Sequence, residues 1–496
     1  MITDIENSYR LVSALFLRLL GIVYLIAFTS LGVQIEGLVG SQGIIPIDMR
    51  LADFAAGGGI EHYLQLPTLF WFNASDTALL GATILGGLAA LLVTFDRWTR
   101  PALVCAFALY LSLFHASHPF LNFQWDILLL ESGFLAIFLT PQSRVVILLF
   151  RWLLFRLRFM SGLSKLSSGD PAWSGLTALD TYFEVQPLPN PVAWYMHQLP
   201  EWLLRVGTGA TLFIELIVPF MMFLPRRWRF AAAWITIFWQ LLIILTSNHN
   251  WINFLTIVLC LFLFDDRALQ RVLPARMITS LAWQPIAPGK GNSRTLRRVA
   301  VGILAAVLFS GGSLKLYELT TDQNIPGNAG YLLNIASAFS IVNKYHVFPT
   351  MTTHRIELEV SGSRDGKEWK PYRFKYKPDL LHERPQFIIP HQPRVDWQMW
   401  FVTLHPRHIP WFGYFLMALL DNSPTVTGLL QENPFAGGLP PRFLRVDAHQ
   451  YHFTNFEERE RTGNWWRREA LGPFTPLPWA EKPGDPTGGS NSRWQQ

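Results

Sequence analysis

Apolar residues fall in long runs through the first two-thirds of the chain and alternate with polar residues in short stretches after it. A hydrocarbon core of ~30 Å takes about 20 mostly apolar residues per helix. Runs at 11–31, 77–94, 101–117, 124–140, 145–163, 203–224, 231–247, 250–265 and 298–316 meet or approach this length, giving nine expected transmembrane helices. The fifth carries Arg151, Arg156 and Arg158. It reads either as a span whose arginines face the bundle or as a helix at the interface. The first run contains Arg18 and has no small-residue cleavage site, so it reads as a retained anchor rather than a signal peptide.

The connections at 95–100, 141–144, 225–230 and 266–298 are basic, with Arg97, Arg100, Arg144, Arg226, Arg227, Arg229, Arg267 and Lys290 among them. The alternating stretches are not basic: 32–76 holds one basic residue, Arg50, against Glu36, Asp48, Asp53, Glu61 and Asp76, and 164–202 holds only Lys165 beside several acids. With nine spans every basic connection lies on one side. The excess of Lys and Arg in cytoplasmic loops then predicts a cytoplasmic N-terminus and residues 317–496 outside.

From about 345 the period changes to two. Arg355-Ile-Glu-Leu-Glu-Val360, the turn Ser363-Arg-Asp-Gly366 and Tyr372–Tyr376 predict a hairpin. Leu444–Phe453 predicts a further strand, and Trp397–Leu404 and Trp411–Leu420 predict helices whose aromatics rest on the membrane. The expected fold is an α-helical polytopic membrane protein with a C-terminal extracytoplasmic β-rich domain. Its parts are a helical domain at 1–316, a connector at 317–344, a β-rich domain at 345–472 and a Pro-, Gly- and Ser-rich disordered tail at 473–496.

Composition agrees with a membrane chain. Only 15% of the 496 residues are charged, against roughly 25% in ordinary globular proteins; mean hydropathy is +0.22. The net charge of +6 is placed in loops that set orientation, so the lipid bilayer is expected as a partner and nucleic acid is not. Cys105 and Cys260 both sit inside apolar runs, which excludes a disulfide framework outside the membrane and a CxxC exchange site.

Ionisable groups at membrane depth are costly and mark function by default. Asp126 and Glu131 are five residues apart, about 140° around a helix, so they face different sides. Their structural reading is pairing with Arg151, Arg156 or Arg158; their sharper reading is catalysis. Lys165 ends the fifth run and reads either as a lysine reaching back to water or as a buried base. The loop 164–202 holds Asp180, Tyr182, Glu184 and His197 and either caps the bundle or docks a partner. Glu215, Asn248, His249 and Asn250 add polar groups to the same side. Motifs for a metalloprotease, P-loop, nucleophile elbow or dinucleotide fold are absent, and His346, His354 and His391 lack metal-ligand spacing.

Several blocks together carry a resemblance: Asn122-Phe-Gln-Trp-Asp-Ile-Leu-Leu-Leu-Glu131, Ser161-Gly-Leu-Ser-Lys165, Ala178–Glu184 with Gln186-Pro-Leu-Pro189, His197-Gln-Leu-Pro200 and Pro390-His-Gln-Pro-Arg-Val-Asp-Trp-Gln-Met-Trp-Phe401. Over roughly residues 10–470 the chain resembles the lipase maturation factor family. That resemblance implies a multispanning endoplasmic reticulum protein that assists folding and assembly of secreted lipases. A cysteine-free outer segment and a lone outer sequon, Asn73-Ala-Ser75, point instead to a bacterial inner-membrane member. A shorter likeness links Ser161–Trp173 to the segment that bears the catalytic lysine of vitamin K-dependent carboxylases, with Lys165 in the matching place.

The primary expectation is therefore a membrane maturation factor that binds a secreted lipase or other exported client through Asp180, Tyr182, Glu184, His197, His391, Arg394, Asp396, Trp397 and Trp400, with Trp194 and Phe401 as further anchors. The alternative is a membrane enzyme with Lys165 as base, Asp126 and Glu131 as partners, and a quinone or lipid ligand; no cofactor is legible. A transporter is a third, weaker reading, because the polar groups gather near one face.

Overall fold

The computed structural model describes residues 8–56, 59–140, 143–281 and 292–474. Its principal helices are α1 (Arg10–Gly32), α2 (Asp76–Thr94), α3 (Thr99–Ala116), α4 (Gln124–Ile137), α5 (Arg144–Ser167), α6 (Ala178–Val185), α7 (Pro191–His197), α8 (Glu201–Leu216), α9 (Arg226–Thr246), α10 (Ile252–Leu259), α11 (Asn292–Thr321), α12 (Arg394–Val402) and α13 (Ile409–Leu420). Six helices among the described residues are long and apolar enough to cross a membrane: α1, α2, α3, Glu201–Met221, α9 and Arg298–Thr321. The other three expected spans also fall on helices. One is α4, of 14 residues; one is the arginine-bearing α5; one is α10 with the helical turn Cys260–Leu263.

Local chemistry sets several boundaries. Ser75 and Ser143 cap α2 and α5, accepting the N–H of Ala78 and Val146. The α8 helix ends at Leu216 because Pro219 has no N–H for the carbonyl of Glu215.

The C-terminal part is one antiparallel sheet in the order β2–β1–β3–β4: β1 (Arg355–Ser363), β2 (Lys370–Pro371), β3 (Phe443–Phe453) and β4 (Trp466–Pro473). The β1–β3 pairing runs from Arg355 opposite Tyr451 to Ser363 opposite Phe443. Three expectations are corrected. The hairpin's second arm is two residues long, because Arg373 turns away to bridge Glu432, so Tyr372–Tyr376 is not a strand. Trp466–Pro473 is a strand that the sequence reading lacked. Trp397 and Trp411 are 3% and 2% exposed and pack inward instead of lying on a membrane surface. Lys290 and residues 475–496, most of the expected tail, lie outside the described residues.

One continuous apolar core runs from the helices into α12, α13 and the sheet. A smaller cluster of Phe183, Trp194, Phe453, Trp465 and Trp466 fastens α6 and α7 to β3 and β4.

Candidate functional site

The C-terminal part meets one end of the helical bundle through a seam of buried charges. Asp126 stands in the first turn of α4 and is fully buried. Its carboxylate accepts two hydrogen bonds from Arg394 of α12, at 2.8 and 2.9 Å, and one from the Tyr110 hydroxyl at 2.7 Å. Arg394 also donates to the Phe120 carbonyl at 3.0 Å and lies over the Trp251 ring. Two-pronged arginine–carboxylate pairs fix geometry as well as charge.

Glu131, further along α4, is also fully buried. It pairs with Arg156 of α5 and accepts from the Asn343 amide at 2.9 Å and the Tyr345 hydroxyl at 2.7 Å. The third carboxylate, Glu215, meets the Lys165 ammonium at 2.8 Å, with Arg158 at 3.5 Å. Lys165 also donates to the Val347 carbonyl at 2.7 Å and lies over the Trp173 ring. It is 3% exposed, so the reading in which it reaches water is wrong. Its Nζ has the Glu215 carboxylate and the Val347 and Ser161 carbonyls as neighbours.

Elsewhere on the seam, Ser30 hydrogen-bonds the His391 ring at 2.9 Å, and Gln34 accepts the Arg394 N–H. Asn248 donates to the Gln386 carbonyl and Asn250 to the Gln392 side chain. The helix ends at Ser30–Gln34, Phe120–Asp126, Lys165 and Asn248–Asn250 therefore all face the C-terminal part. At the opposite end Asp266 accepts from Ser8 and the Arg10 N–H, and Asp265 pairs with Arg226.

The loop residues separate into two groups. Glu184 is buried; it accepts the Phe453 N–H at 2.7 Å and has His452 at 3.2 Å and His197 at 3.7 Å. Burial pushes the His197 imidazole down. Tyr182 hydrogen-bonds the His249 ring at 2.6 Å. Burial pushes that imidazole to about 4, so it is neutral at neutral pH. Asp180 is partly exposed and has one buried carboxylate oxygen without a partner among the described residues.

On the C-terminal side, burial pushes His391 to about 4, helped by Arg394 and Lys375. Asp396 accepts the N–H groups of Tyr376 and Lys377, yet burial raises its carboxyl to about 6. Trp397 packs edge-on to Trp125 with ring centres 5.2 Å apart. Trp194 is fully buried against Trp465. These two tryptophans hold the chain to itself and present no surface to a client, a correction to the expected anchors. Trp400 and Phe401 are half-buried, stacked edge to face.

Sequence reasoning missed Asn343, Tyr345 and Arg355. Arg355 is fully buried and donates to the carbonyls of Glu184, Gln186 and Pro187. It stands in the polar phase of β1, so the alternating pattern carried no signal of its burial. No group of three His, Cys, Asp or Glu side chains among the described residues is arranged to hold a metal ion.

Residues 11–271 match the family model for the lipase maturation factor transmembrane domain, and residues 341–476 match that for the lipase maturation factor C-terminal domain. The chain belongs to the lipase maturation factor family. It is 34% identical over 595 residues to lipase maturation factor 2 of Xenopus laevis, covering 96% of this chain and 84% of that protein. It is 32% identical over 518 residues to lipase maturation factor 1 of Homo sapiens, covering 95% and 88%. No solved structure matches the chain. These relatives are vertebrate, so the bacterial inner membrane expected above is unsupported, and the carboxylase likeness around Lys165 gains nothing from them. The seam acquires a clear place in this family: Asp126, Glu131 and Glu215 lie in its transmembrane domain, and Asn343, Tyr345, Val347 and Arg394 lie in its C-terminal domain.

Proposed function

We propose that this protein is a membrane-anchored maturation factor for secreted lipases, acting by binding its client at the luminal face of the endoplasmic reticulum membrane. The observation that carries the reading is the seam, in a chain whose residues 11–271 and 341–476 match the family's two domains. Each of its three bundle carboxylates contacts, directly or through its partner, a residue of the C-terminal domain. The client-binding side is thereby a rigid extension of the bundle. Rigid surfaces bind without first losing conformational freedom.

The proposed topology has nine crossing segments, with the N-terminus in the cytoplasm and the sheet outside. The arginines of α5 support its counting as a span. Arg156 and Arg158 are buried against Glu131 and Glu215, and Arg151 bonds the Tyr9 hydroxyl and the Phe262 carbonyl, so each of the three has a partner within the protein. The α4 helix is short, but most of its residues are buried, so protein rather than lipid surrounds it.

Client contact is assigned to the partly exposed groups of the outer side, with Asp180, His197 and Trp400 kept as candidates. Tyr182, Glu184, Arg394, Asp396 and Trp397 are assigned the positioning of that surface. Cross-linking in intact membranes, followed by purification of this protein, tests the reading. The expected result is recovery of immature lipase with it. Absence of lipase from the cross-linked material, in cells that secrete active enzyme, would overturn it.

A further inference from the structure

Two segments at the outer end of the bundle carry apolar side chains that the described residues leave uncovered. One is residues 60–72, with the short helix Glu61–Gln65 and the turn Leu69–Trp71; the other is the helix Gly327–Ala338 that follows α11. The two pack against each other. Each has an inward face, with Leu66 and Phe70 buried in the first and Leu333 in the second. Each also has an outward one. Ile60, Phe72 and Leu332 are 76%, 89% and 64% exposed, and Tyr63, Leu69 and Tyr331 are exposed to a lesser degree.

Their depth follows from α3. That helix has 18 residues. It is therefore about 27 Å long, close to the ~30 Å of a hydrocarbon core, so its last turn lies at the level of the leaflet. Ser112, one turn before the end at Ala116, holds the first segment alongside. Its carbonyl accepts from the Thr68 hydroxyl at 3.2 Å and its hydroxyl accepts the Leu69 N–H at 3.0 Å. His115 meets the Ala338 carbonyl at 2.7 Å and holds the second segment. Lipid offers no hydrogen bonds to a backbone, and here the chain supplies them. The Thr68 hydroxyl accepts the Phe70 N–H, the Leu69 carbonyl accepts the Phe72 N–H, and the Leu66 carbonyl accepts the Trp71 indole N–H. Neither 62–75 nor 323–343 contains an Asp, Glu, Lys or Arg. The α2 span starts directly after the first segment and carries exposed Ile84 and Leu88 into the hydrocarbon, so the uncovered surface adjoins one that lipid already covers.

We propose that these two segments form an interfacial collar seated in the outer leaflet, with Ile60, Tyr63, Leu69, Phe72, Tyr331 and Leu332 against phospholipid where headgroups meet acyl chains. Aromatic side chains favour this level, and apolar faces lying in the membrane plane bind there. An uncovered apolar patch marks a protein partner or a membrane; the depth set by Ser112 and His115, and the lack of charge, select lipid. Because both segments are tied to α3, the collar fixes how deep the outer end of the bundle sits in the bilayer. The proposed topology makes this the luminal leaflet. The inference needs only a membrane chain and stands apart from any client.

The test is photo-cross-linking of the full-length wild-type protein in phosphatidylcholine nanodiscs. Two lipid probes are used, one with a diazirine near the glycerol backbone and one with it near the chain end, and labelled peptides are identified by mass spectrometry. The shallow probe is expected to label 60–72 and 327–338, the deep probe to label the middle of α2 in preference to them, and neither to label the segment around Leu439, which is exposed on the C-terminal domain. Labelling of both segments no higher than at Leu439 would place them in water, open to a protein partner, and overturns the inference. The double variant Phe72→Asp/Leu332→Asp should lose most of the shallow label from both segments and keep the deep label on α2. Shallow label undiminished by these charges would equally overturn it.

Discussion

Removing one partner of a buried ion pair leaves the other uncompensated, at a cost of about 3–5 kcal/mol. Asp126→Ala strands Arg394, which is 1% exposed, and is expected to lower thermal stability in detergent by that order. Adding Arg394→Met should recover a large part of the loss; equal melting of single and double variants would mean that the pair is not coupled. Lys165→Ala is expected to reduce protein level while leaving lipase maturation per remaining molecule intact, because Lys165 is buried beside Glu215 and joins α5 to α8. A full level of protein with abolished function would contradict this. Asp396 supplies a pH dependence. Its carboxyl titrates near 3.8 in the unfolded chain and near 6 in the fold, so the folded state holds the extra proton between those values. Stability from this group therefore falls as pH rises through that window and stays low above it. Relative to Asp396→Asn, wild type should lose melting temperature between about pH 4 and about pH 7, and a constant difference would refute the assignment. At this scale Glu131 with Arg156 was legible, since both lie in neighbouring apolar runs. Asp126 with Arg394 was not, because 268 residues separate them and no local pattern encodes a tertiary partner.

Close approach of helices needs small residues at their contact. A Cβ on Gly162 of α5 would come within 2.8 Å of the Glu215 side chain on α8, whereas one on Gly81 of α2 meets nothing within 4 Å. Gly162→Leu is expected to push the helices apart, break the Lys165–Glu215 pair and sharply reduce folded protein. Gly81→Ala should leave melting unchanged or raised. Comparable loss from both would remove the packing argument. Helix positions were legible because hydropathy and length report burial in lipid or protein alike, but that same ambiguity kept α4, α5 and α10 from being settled as spans. The sheet was legible in part. Arg355 and Glu357 follow the polar phase of a period-two pattern, yet both are buried, because β1 is an inner strand covered on both faces. The β4 strand was missed because Trp465-Trp466-Arg-Arg-Glu has no alternation; its tryptophans are called inward by the cluster around Trp194.

Across the whole molecule, the C-terminal domain and the basic connections occupy opposite ends of the bundle, which makes sidedness testable. With Cys105 and Cys260 replaced, a membrane-impermeant maleimide added to sealed endoplasmic reticulum vesicles should label Arg97→Cys at once and Leu439→Cys only after permeabilisation. The reverse pattern would invert the topology. The expectation of a membrane body with an outer β domain came from hydropathy and charge placement, while client identity came only from family likeness. The most direct measurement of the central claim is secreted lipase activity per mass of lipase in cells with and without this protein. A normal mass of inactive lipase without the protein, restored by wild type and by Lys165→Ala in proportion to its level, is the predicted result. Unchanged specific activity on deletion would contradict the maturation role.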